Sequence, residues 1–154
     1  MQNERNRKTF EEITEQINRD NTISVNRPIA HAVGAYAAIV FNALIGKYIY
    51  YKQKNMLDRD GWFYSTIKDM KESTTLSRYH QDNAIEALVE AQLIEYCVKG
   101  TPARRYFRIT QNREILEKVI RKGEEKMLEL RRKAKEEESA KQVCEPLTYL
   151  NKSI

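Results

Sequence analysis

Cysteine is nearly absent. Cys97 and Cys144 are the chain's two, too few for a disulfide framework and spaced unlike zinc ligands. Histidine is as scarce, and His31 and His80 cannot build a histidine-rich metal site. Five glycines and three prolines in 154 residues exclude a collagen-like or proline-rich fibre and argue against long disorder in mid-chain. There is no Gly-rich phosphate loop, HExxH pair, nucleophile elbow or acidic metal cluster. No catalytic residue, metal or cofactor is therefore expected, and the chain is not expected to be an enzyme. The first 25 residues mix charges with no apolar run, so no secretory leader is expected, and the few thiols fit a cytoplasmic location.

What is present is a core and an uneven basic charge. Hydrophobic residues make up 41%, enough for one domain. The net charge of +5 is spread as +2 over residues 1–61, +1 over 62–110 and +2 over 111–154. One local run stands out. Between Lys99 and Arg113 lie five basic residues, Lys99, Arg104, Arg105, Arg108 and Arg113, and no acid. An acid-free run of this kind is what phosphate attracts.

Along the chain, residues 1–22 read as a polar, partly helical arm with a weak apolar repeat at Phe10, Ile13 and Ile17. Pro28 to Gly46 is a stretch of 19 uncharged residues, long enough to raise the question of a membrane span. His31, Asn42 and the mid-stretch Gly34 favour a short helix to Val33 and then a core helix from Ala35 to about Tyr51, burying Ile39, Val40, Ala43 and Leu44. No membrane association is expected. Trp62-Phe63-Tyr64 is a short strand candidate, and Ser65 or Thr66 caps a helix over 67–72. A longer helix runs from Ser77 to Ala91, with Gln81, Ala84, Ile85 and Leu88 on one face. Leu93 to Val98 and Arg104 to Ile109 flank a Lys99-Gly100-Thr101-Pro102 turn as a hairpin. Residues 111–142 form a long charged helix with a stripe of Leu116, Val119, Ile120, Gly123, Met127, Leu130 and Ala134, and 143–154 are a tail.

The expected fold class is thus mainly α with a small β-hairpin: a winged helix-turn-helix over 23–110 plus a long C-terminal helix. The segment Leu76 to Ile94, LSRYHQDNAIEALVEAQLI, is similar to that of winged-helix regulators and initiators. The shared features are Leu76-Ser77-Arg78, then Ile85 with Leu88, then Leu93-Ile94 leading into the wing. The fragments SVNRPIAHAVG with AIVFNAL, DGWFYSTIKDM and the Arg104–Ile109 strand extend the likeness. Residues 23 to 109 resemble the amino-terminal domains of phage and plasmid replication initiators of the DnaD-like, replisome-organiser type. In such domains Gly usually stands between recognition helix and wing. Gln92 stands there here, and a left-handed backbone would cost it about 1 kcal/mol relative to Gly.

A recognition helix reads base edges mainly with its first turns. On the 77–91 helix, Arg78 suits guanine or phosphate, Asn83 suits adenine, and Tyr79 and His80 are in reach of phosphate. Asp82, Glu86 and Glu90 repel phosphate and confine docking to the first two turns. Lys99, Arg104, Arg105 and Arg108 supply the wing's contacts. Strand alternation sends Arg105 and Phe107 to one side, and Arg104, Tyr106 and Arg108 to the other. The expected partner is double-stranded DNA, met in replication initiation on a bacterial mobile element, with replication proteins recruited through other surfaces. A small winged-helix transcription regulator and a phage-encoded protein-interaction or inhibitor module are the alternatives. The C-terminal stripe is expected to make a homodimer rather than to dock in cis.

Overall fold

A computed structural model describes residues 7–142. The arm contains helix α1, Phe10–Arg19, begun by a capping box in which the Thr9 side chain and the Glu12 carboxylate each accept the other residue's backbone N–H. None of its residues is buried. Helix α2, Arg27–Val33, starts from the Asn26 side chain, which accepts the Ile29 N–H at 3.0 Å, and carries Pro28 in its first turn. Gly34 then takes φ 103°, ψ 154°, a conformation open essentially to glycine alone. It divides the uncharged stretch into α2 and α3, Ala35–Gln53.

Helix α3 is the centre of the molecule. Ala37, Ala38, Val40, Phe41 and Leu44 are buried along it, while Ile39 and Ala43 are half-buried against the same core. The buried face is therefore wider than the expected four residues, because α2, α4 and α5 all pack on this helix. Among the described residues no helix is long and apolar enough to cross a membrane.

The rest follows in the expected order. Strand β1 is Phe63–Tyr64, and α4 is Ile67–Thr74 behind its Thr66 cap. Helix α5 is Arg78–Glu90 behind its Ser77 cap. Strands β2, Ile94–Lys99, and β3, Arg104–Ile109, form the hairpin. Instead of standing alone, the hairpin takes β1 as a third strand, giving an antiparallel sheet of order β1-β3-β2 with Phe63 opposite Phe107 and Tyr64 opposite Tyr106. Period-two alternation drives Phe63, Phe107 and Ile94 inward onto Met70, Leu76, Ala84, Ile85, Leu88 and Leu93. Each fully buried Phe, Met, Leu or Ile side chain among these contributes about 1.5–3 kcal/mol. Gln92, between α5 and β2, has φ 62°, the left-handed conformation that its position requires.

Helix α6, Arg113–Lys141, begins at the Asn112 cap and packs along α2. Ile115, Leu116 and Val119 lie against the core, Gly123 is buried and Met127 is half-buried. A Cβ on Gly123 would stand 1.7 Å from the Pro28 carbonyl oxygen, so glycine permits this approach. One turn on, the Lys126 Nζ donates to the His31 carbonyl at 3.1 Å. The proximal half of the stripe thus docks in cis, whereas Ile120, Leu130 and Ala134 are exposed. The expected tail, 143–154, lies outside the described residues.

Candidate nucleic-acid interface

Helix α5 is held by its inner face. Gln81, Ala84, Ile85 and Leu88 are all buried, which leaves Arg78, Tyr79, Asp82 and Asn83 exposed on the first two turns. Arg78 Nε lies 3.8 Å from Asp82 Oδ2, an i,i+4 pair in water that contributes little to stability. Tyr79 is 69% exposed, an unusual degree of exposure for a large ring. His80 sits elsewhere than expected. It is half-buried against α3, its ring 4.8 Å from Tyr36 and 5.3 Å from Tyr79, and so packs between helices rather than facing solvent.

Arg105 requires a correction. Expected on the wing's DNA-facing surface, it is buried, because it shares the inward side of β3 with Phe107. Its Nε donates to the Ser65 carbonyl at 3.3 Å and its NH2 group to Gln81 Oε1 at 2.9 Å. Gln81 Nε2 in turn donates to the Ile67 and Leu76 carbonyls at 3.1 and 2.9 Å. Burial lowers the Arg105 pKa from its ordinary value, and Tyr96 and Asp82 act against that shift. At 4.0 Å from Asp82, the guanidinium joins the tip end of the wing to the first turns of α5.

The other wing cations lie on the opposite face of the sheet. Lys99 and Arg104 are cross-strand partners beside the turn, both exposed, and neither makes an ion pair among the described residues. Arg108 is tied by its NH2 group to Glu95 at 2.5 Å. The structure therefore brings Arg78, Tyr79 and Asn83 together on α5, sets Lys99 and Arg104 at the wing tip, and withdraws Arg105 and His80. Trp62, Tyr64 and Tyr106 share the outer face with the wing cations. Of the Trp62-Phe63-Tyr64 run, only Phe63 is buried. Cys97 is half-buried on that same outer face. Alternation about Phe63 was the signal for these outward rings.

Between α5 and the hairpin runs an open groove of about 750 Å³ lined by Arg78, Asp82, Ile85, Glu86, Val89, Glu90 and Tyr96. Its three carboxylates repel phosphate, so the carboxyl half of α5 is a poor bed for DNA. Among the described residues no group of three or more His, Cys, Asp or Glu side chains is placed to hold a metal ion.

No protein-family model and no curated protein matches this chain. Among solved structures, one described as "N-Terminal domain of DNA binding protein" is similar over 73% of this chain and 93% of its own, with 10% sequence identity and a TM-score of 0.48.

Proposed function

We propose that this chain is a sequence-recognising binder of double-stranded DNA, built as a winged helix-turn-helix and acting by binding rather than catalysis. One observation carries the reading. The exposed Arg78, Tyr79 and Asn83 on the first two turns of α5 stand beside a wing whose tip end is fastened to those turns through Arg105, Gln81 and Asp82. That wing ends in the exposed cations Lys99 and Arg104, which make no ion pair among the described residues. Base-reading amide, phosphate-binding cations and a rigid link between them are what duplex recognition needs. The resemblance of residues 23 to 109 to phage and plasmid initiators supports a role in replication initiation on a bacterial mobile element, in the cytoplasm. There the chain would work as a homodimer and recruit replication proteins. A small transcription regulator of the same fold would use the same surface.

The experiment is duplex binding measured against salt. Lys99→Ala with Arg104→Ala weakens binding to all sequences and flattens the salt slope by about one unit per lost phosphate contact. Asn83→Ala costs about 1–3 kcal/mol on a selected site and much less on random duplex. Duplex affinity that is absent or indifferent to salt refutes the reading. The acidic groove lined by Asp82, Glu86 and Glu90 favours a second reading, a protein-interaction module, which that result would promote.

A further inference from the structure

The outer face of the sheet carries aromatic rings that duplex recognition does not use. Tyr64 and Tyr106 are cross-strand partners with ring centroids 6.3 Å apart. The Arg104 guanidinium lies 5.2 Å over the Tyr64 ring. Lys99 Nζ stands 5.3 Å from the Trp62 ring and 5.6 Å from Tyr106, and the Arg108 guanidinium is 5.0 Å over Trp62. Tyr64 is exposed, and Trp62 and Tyr106 are half-exposed. Three rings and three cations thus alternate across one face, and the one carboxylate at the outward positions of these strands, Glu95, is already held by Arg108.

A sheet face kept soluble needs charge but not three aromatic rings, and rings placed for the core belong on the inner side with Phe63 and Phe107. Rings interleaved with cations match a strand whose bases are unpaired: each base has a flat face to stack, and each phosphate a charge to neutralise. A duplex hides its base faces inside its own stack. An acidic peptide offers carboxylates to the cations but nothing flat to the rings. We propose that the outer face of the β1-β3-β2 sheet, centred on Trp62, Tyr64 and Tyr106, binds single-stranded nucleic acid, with Lys99 and Arg104 holding its phosphates. This site is distinct from the first turns of α5. Lys99 and Arg104 also serve the wing's duplex contacts, so duplex and single strand compete for these two cations.

Trp62 is the chain's one tryptophan, so its fluorescence reports directly on stacking. The full chain is titrated at low salt with oligothymidylate, oligouridylate and an abasic strand of equal charge, each about twelve nucleotides long. Thymidylate, uridylate or both should quench Trp62 and bind roughly tenfold or more tightly than the abasic strand. Tyr64→Ala should lower that affinity roughly tenfold, and Tyr64→Phe, which keeps the ring, should retain it. Asn83→Ala, which touches neither the rings nor the wing cations, should leave the single strand bound as before. Equal binding of base-bearing and abasic strands, or an unmoved Trp62 emission, overturns the proposal. If the chain binds duplex but no single strand, this proposal alone fails. If it binds neither, the duplex reading fails with it. Tyr64 lies exposed on an edge strand, so its substitution leaves the core intact, which a thermal melt verifies.

Discussion

Arg105 is a cation serving as a core residue. Its guanidinium and the Gln81 amide form one buried relay from β3 through α5 to the carbonyls of Ser65, Ile67 and Leu76. A hydrogen bond to a charged group contributes about 1.5–3 kcal/mol, and a partner left unsatisfied in the interior adds its own desolvation cost. Arg105→Ala is therefore expected to destabilise the fold by about 2–4 kcal/mol in urea denaturation, while Arg104→Ala stays within about 0.5 kcal/mol. Equal, small losses would place Arg105 outside the core. The sequence divides the two correctly, since alternation sets Arg105 with Phe107 and Arg104 with Tyr106. It does not say which side is inward. The clue lay on another element: Gln81 falls on the buried face of α5, and a buried amide needs partners. Pairing it with Arg105, 24 positions away, takes three dimensions. Gln92 was legible for a local reason, because a helix running directly into a strand demands a left-handed residue whatever its side chain.

At the scale of elements, local signals located the helices and strands well. Thr66, Ser77 and Asn112 each cap a helix, and Gly34 separates α2 from α3. The partner of α6 was not legible, because an apolar stripe states that something covers it and not what. The answer is α2, and the residue that decides it is Gly123. Alanine is normally the better helix former, by about 1 kcal/mol. Here its methyl would stand 1.7 Å from the Pro28 carbonyl oxygen, so α6 must move away and loosen Leu116 and Val119 as well. Overpacking of this kind costs about 1–3 kcal/mol. Gly123→Ala is expected to lower the midpoint of thermal unfolding despite its propensity gain. A variant as stable as the wild type would show that α6 is not docked on α2.

For the molecule as a whole, cis docking of the proximal half of α6 changes the energetics of a homodimer. Of the stripe beyond Gly123, Met127 is half-buried and only Leu130 remains as a large exposed side chain, with Leu128 on a neighbouring line. A two-fold dimer would bury two such residues from each copy, about 6–12 kcal/mol in all, against the roughly 8 kcal/mol net that a micromolar dissociation constant represents. Association also costs translational and rotational freedom. The distal helix alone is therefore too weak a seam. Helix α1 supplies what is missing. Its Phe10, Ile13 and Ile17 follow one face at helical spacing and are 76%, 44% and 71% exposed. It is capped at its start, and none of its residues is buried. Glu11, Glu12 and Glu15 make it acidic, opposite to the basic stretch Arg131, Arg132, Lys133 and Lys135 of α6. A two-fold homodimer in which α1 of each copy covers the distal α6 of the other would bury five large apolar side chains from each copy, ten in all. At about 1.5–3 kcal/mol each, these reach the micromolar range after the cost of association. Sedimentation of the full chain at tens of micromolar is expected to show a dimer. Phe10→Ser with Ile17→Ser, which touches no core residue, is expected to shift it to monomer at unchanged thermal stability of the domain. A wild-type monomer at that concentration removes the homodimer. A dimer untouched by the double substitution removes α1 from its interface.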